Sequence, residues 1–134
     1  MMISKTRLLF DTHAFLAFFN REDGSETIRN HMDAIQNGDA EGFVAMITLT
    51  ELAYIYSRKL DAASGTLRVM QVLHSKLNVI PLSAEIAIRA GTLKRLGISI
   101  ADAIIAASAL SVDASVVTND LHFSEMGLEV IGYP

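Results

Sequence analysis

Short apolar runs alternate with helix-like stretches along this 134-residue sequence, and that alternation restricts the fold more than any other feature. The runs cover residues 8–10, 43–46, 77–80 and 115–117, and a fifth at 129–131 reads as an edge strand. Between them, residues 12–19, 25–36, 48–60, 64–75, 83–96 and 99–112 carry helical signals. Asn37-Gly38 stops the second of these stretches. In the third, Leu49, Leu52, Ala53 and Tyr56 share a face, and in the fourth Leu67, Met70 and Leu73 recur at helical spacing. Ser83 reads as a cap for the fifth, which Lys94, Arg95 and a left-handed Gly97 are expected to close. Continuous apolar strands separated by helices predict an α/β fold: a parallel sheet of four to five strands with helices on both faces. Repeats, linkers and low-complexity tracts are absent, so residues 1–134 read as one domain.

Composition narrows the function classes. There is no cysteine, which excludes a disulfide framework, a thiolate nucleophile and Cys-ligated zinc or iron–sulfur sites. Hydrophobic residues reach 51%, enough for a full core. The longest stretch without Asp, Glu, Lys or Arg is residues 103–112, far short of the ~20 residues of a membrane span. The apolar run before Asp11 is too short for a signal peptide, so a cytoplasmic protein with no membrane partner is expected. A net charge of −4 argues against a broad basic nucleic-acid-binding face, yet leaves open an acidic site that meets phosphate through metal ions.

Familiar nucleotide and hydrolase signatures are missing. No two glycines stand two apart, so a dinucleotide fingerprint cannot form, and Gly127 and Gly132 are followed by Tyr133 where a P-loop requires Lys. The four histidines, His13, His31, His74 and His122, lack metal-ligand spacing. What remains are carboxylates. Asp11 ends the first strand, Glu51 begins the helix after the second, Asp102 lies in the first turn of the apolar helix and Asp120 follows the fourth strand. Ligands of open parallel sheets bind beyond the strand C-termini, and all four acids belong to that rim.

Each acid also has an ordinary structural role open to it. Thr48-x-x-Glu51 and Ser99-x-x-Asp102 resemble capping boxes, Asp11 could be an N-cap, and Asn119-Asp120 could form a turn. Two arguments weigh against that. Asp102 is the only charged residue between Arg95 and Asp113, in a helix expected to be buried all round, so its carboxylate needs a partner. Converging carboxylates also repel by about 4 kcal/mol at ~4 Å and an effective dielectric of ~20. Such a set calls for protons or a hard cation, and oxygen-only ligands point to Mg²⁺ or Mn²⁺.

Four segments carry a resemblance: Leu8-Leu9-Phe10-Asp11-Thr12-His13, Ile47-Thr48-Leu49-Thr50-Glu51-Leu52, Ile100-Ala101-Asp102 with the apolar residues that follow, and Val117-Thr118-Asn119-Asp120-Leu121-His122-Phe123. Together they resemble the PIN domain, and most of all the VapC-type toxins of toxin–antitoxin pairs. The resemblance implies a Mg²⁺- or Mn²⁺-dependent ribonuclease with one or two ions, in which Asp11, Glu51, Asp102 and Asp120 form the acidic cluster and Thr118 supports it. It also implies an RNA substrate, a cognate antitoxin and a homodimer. His122 stands where many members carry another Asp, which favours one metal over two, and His13 stands where many have a small polar residue. Leu121 and Phe123 are expected in the core.

Arg58-Lys59 and the group Arg89, Lys94 and Arg95 are candidates for RNA phosphates, or simply exposed helix surface. Three other readings stay open. An aspartate-nucleophile phosphatase commonly needs a second acid two residues after Asp11, where His13 stands. A receiver domain needs a Lys that 118–120 does not supply. A PIN-like fold could also serve as a non-catalytic RNA-binding or assembly module.

Overall fold

The computed structural model of the chain describes residues 5–134. Five strands, β1 (Thr6–Phe10), β2 (Ala40–Ala45), β3 (Asn78–Ile80), β4 (Ser115–Val117) and β5 (Val130–Ile131), pair in parallel in the order β3-β2-β1-β4-β5. Among the described residues there are seven helices: α1 (Thr12–Phe19), α2 (Ser25–Gln36), α3 (Met46–Lys59), α4 (Ala62–Leu73), α5 (Ala84–Leu93), α6 (Ile100–Ser111) and α7 (His122–Glu125). None is long and apolar enough to cross a membrane.

The strands are short and apolar because both faces of the sheet are covered. Side chains alternate across it. Leu8, Phe10, Val44 and Val117 face a core shared with α1 to α4. Leu9, Phe43, Ala45 and Val116 face the other, shared with α5, α6 and α7. The central strand β1 and its neighbour β4 are held in register by Leu9 opposite Val116 and Phe10 opposite Val117. Pairing extends to the rim, where the Asp11 N–H donates to Val117 O at 3.3 Å and the Thr118 N–H to Ile131 O at 3.0 Å. That fixes the backbone from which two of the expected site residues project.

Several local expectations need correction. The helix after β2 starts at Met46 rather than at Thr48, directly from Ala45, with no side-chain cap. Thr48 therefore lies inside the helix, fully buried, and cannot open a capping box with Glu51. The fifth helical stretch ends at Leu93, because Lys94 turns to an extended conformation. Gly97 is left-handed at φ +85°, but it serves the turn that lets Ile98 reach the core, not the helix end. In α4 the stripe of Leu67, Met70 and Leu73 faces outward, between 42% and 56% exposed, while Gly65 and Val72 are buried. Gly65 decides this: its backbone lies so close to α3 that an added Cβ would stand 2.6 Å from Ala53 O. The expectation that Asp102 sits in a helix buried all round fails: Ile100 is 68% exposed and Ser111 is exposed, and full burial is confined to Ala103 and residues 105–109. Phe123 is buried as expected, whereas Leu121, expected in the core, is exposed.

Candidate active site

Asp11 leaves β1 and caps α1 in the same step. Its Oδ1 accepts from the Ala14 N–H at 2.8 Å, and its Oδ2 accepts from Thr118 Oγ1 at 2.5 Å. Thr118, at the end of β4, turns the same hydroxyl oxygen to the Asp120 N–H at 2.9 Å. One buried threonine thus ties together the acids that follow β1 and β4. The capping role open to Asp11 is real, and it does not exhaust the residue, because the second oxygen is engaged across the sheet. Burial pushes the Asp11 carboxyl up, against the Thr118 hydroxyl, the Ala14 N–H and His13, and the charge of Asp102 pushes it further.

Asp102 sits in the first turn of α6, where the Ser99 hydroxyl accepts from its N–H at 3.0 Å. Ser99 is therefore a genuine N-cap. The Asp102 carboxyl is half-buried, and it too is pushed up, first by burial and then by Asp120, with Ser99, His13 and His122 acting in the opposite direction. Asp11 thus lies in the field of Asp102, and Asp102 in that of Asp120. Asp120 Oδ1 also accepts from the His122 N–H at 2.9 Å and lies 3.1 Å from His122 Nδ1.

Glu51 is held apart by a different partner. Its Oε1 accepts from Thr12 Oγ1 at 2.6 Å, and that hydroxyl lies 3.2 Å from Thr48 Oγ1. Among the described residues, no three His, Asp or Glu side chains are gathered closely enough to hold a metal ion by themselves. The donor set nevertheless fits a hard cation of the Mg²⁺ type, which uses one or two carboxylates and keeps several waters. The observation that supports the fit is the upward push of Asp102 on the Asp11 carboxyl and of Asp120 on that of Asp102, which a nearby cation would relieve.

Two of these acids open onto a cleft of about 450 Å³, which Asp102 and Glu51 do not line. Asp11 and Asp120 line it, together with Lys59, a sequence candidate for RNA phosphate, and Asn20, Glu22 and Tyr133, which the sequence pattern did not single out. Tyr133 is brought there by Asn119, whose side chain accepts from the Tyr133 N–H at 2.8 Å and donates to Tyr133 O at 3.2 Å. Burial, with Asp11 and Glu22 nearby, holds the phenol at about 12, so it remains a neutral donor. Thr12 was also missed, although it directly follows Asp11. For Tyr133 no sequence signal was available.

A family model described as the PIN domain matches residues 8–128. The chain belongs to the PIN domain family. Solved structures share its fold at low identity. VapBC2 from Rickettsia felis, bound to a DNA fragment from its promoter, matches with TM-score 0.78 and 21% identity, over 96% of this chain and 100% of that one. DNA-bound VapBC from Salmonella typhimurium matches with TM-score 0.73 and 24% identity, over 96% and 99%. VapC20 from Mycobacterium tuberculosis, a toxin that cleaves the sarcin-ricin loop, matches with TM-score 0.71 and 17% identity, over 90% and 95%. Among curated proteins none matches the sequence. In this PIN domain the strand ends that carry Asp11 and Asp120 are adjacent in the sheet, which explains why residues 109 positions apart share a hydroxyl.

Proposed function

We propose that this PIN domain is a divalent-metal-dependent ribonuclease of VapC type, acting in the cytoplasm as the toxin of a toxin–antitoxin pair. The observation that carries the reading is the Thr118 hydroxyl joining Asp11 to the Asp120 backbone, with Asp102 close enough to raise the Asp11 carboxyl. Asp11, Asp102 and Asp120 would hold Mg²⁺ or Mn²⁺, with Glu51 completing the acidic set from α3. Such an ion supplies a more acidic water and charge neutralisation at the phosphoryl oxygens. Thr118 orients Asp11, Ser99 orients the helix start beneath Asp102, and Thr12 orients Glu51. The Tyr133 phenol offers a neutral hydrogen-bond donor to a phosphodiester in the cleft. The VapBC assemblies among the structural neighbours support an antitoxin partner, and a homodimer belongs to the same proposal.

The test is cleavage of a mixed RNA pool by purified protein with Mg²⁺ or Mn²⁺, beside a chelator arm and Asp102→Asn protein prepared identically. Cleavage should require metal and vanish in the variant. Equal cleavage by both proteins would assign it to a contaminant. Absence of cleavage together with absence of metal binding would favour a non-catalytic module.

A further inference from the structure

The acidic set leaves the cleft with a charge problem. Asp11, Glu22, Asp23 and Asp120 all line it, and each repels a polyanionic strand. One lining side chain, Lys59, is basic. It closes α3 beside Arg58, and the helix dipole alone would favour a basic residue at either position. The two side chains differ in what they face. The Arg58 guanidinium lies over the exposed Tyr54 ring, 5.8 Å from its centroid. Lys59 lies on the cleft, and although four carboxylates share that cleft, it forms no ion pair among the described residues. Its charge is left for something that enters.

Its place along the cleft is set by α1. Asp11 caps the start of that helix. At the other end, Asn20 accepts from Tyr56 OH at 2.9 Å, and the Phe19 and Tyr56 rings meet edge to face, which fixes the last turns of α3 there. Eight helical residues separate the two ends by about 12 Å. The two ends of α1 are thus far enough apart to face different phosphates of one strand.

We propose that Lys59 anchors a second, non-scissile phosphate of a single-stranded RNA in a subsite at the far end of the cleft. The inference rests on the ribonuclease reading. It makes Lys59 a substrate-binding residue that sets KM for longer strands and does not touch the reacting bond.

The experiment combines binding and turnover. Binding of a labelled mixed-sequence single-stranded RNA to Asp102→Asn protein is titrated across a salt series, alone and with Lys59→Gln, Lys59→Arg or Lys76→Gln added. Lys76 lies before β3, away from the cleft, where its Nζ donates to Gln36 O. Loss of one phosphate contact should lower the slope of log affinity against log salt by about 0.7 in Lys59→Gln, a roughly threefold smaller loss of affinity over a fourfold rise in salt. Lys59→Arg should keep the original slope, as should Lys76→Gln. In otherwise unsubstituted enzyme, Lys59→Gln should raise KM for the long RNA with kcat retained, and leave cleavage of a dinucleotide unchanged. An unchanged slope, or equal losses on dinucleotide and long RNA, overturns the role of Lys59 while the nuclease stands. Failure of the parent protein to bind or cut RNA overturns the ribonuclease reading itself, and the anchor with it.

Discussion

Thr118 is the residue on which the acidic rim turns. Its hydroxyl donates to Asp11 and accepts from the Asp120 N–H, and it is buried, so removal leaves both groups short of a partner. Thr118→Val should cost about 1–3 kcal/mol in urea unfolding. Metal affinity or activity should fall roughly 10–100-fold, as for residues that orient metal ligands. Asp11 carries a pH signature in the metal-free protein. Its carboxyl is raised from 3.8 by burial, so its contribution to stability is fully present below the unfolded value and is lost as pH rises through the folded one. Asp11→Asn retains an acceptor for the Ala14 N–H and abolishes that loss. In chelator, its melting temperature should exceed that of the parent at neutral pH, and the gap should close on acidification. A gap independent of pH would show that the raised carboxyl is not its source.

Among the elements, the contact between α3 and α4 is the one most exposed to a single atom. A Cβ at Gly65 would press on the Ser57 hydroxyl and stand 2.6 Å from Ala53 O, and a backbone carbonyl inside a helix cannot give way. Gly65→Ala should destabilise by about 1–3 kcal/mol despite its better helix propensity. Denaturant titration will show whether overpacking or propensity wins. The same contact explains why the apolar stripe of α4 faces out. Periodicity identified a helix with an apolar face, but the face that packs is chosen by how closely the backbones approach. At α5 the order is similar: Gly97 announced a left-handed residue, yet the helix stops at Leu93 so that Ile98 can reach the core.

For the whole molecule, the decisive prediction concerns the cation. Mn²⁺ bound to the folded state alone should raise the melting temperature in proportion to the logarithm of its concentration. Asp102→Asn should remove most of the rise. An unchanged melting temperature in the unsubstituted protein would count heavily against a metal site. Topology assembles the rim: the central strand β1 and its neighbour β4 run parallel, and their C-termini deliver Asp11, Thr118 and Asp120 together.

The alternation of apolar runs and helical stretches determined the α/β class and the parallel sheet, because burial on both faces is written in residue order; it singled out four acids only as candidates. Three matters waited for the tertiary structure. Strand order made Asp11 and Asp120 neighbours through Thr118, and no local pattern encodes which strands pair. Glu51 is oriented by Thr12, a contact between two helices. Tyr133 and Lys59 reach the cleft from separate segments, Tyr133 clasped by Asn119 and Lys59 carried by a helix end that Asn20 holds. A charge's solvation and its partners are fixed by packing between segments far apart in sequence, and that packing exists only in the folded chain.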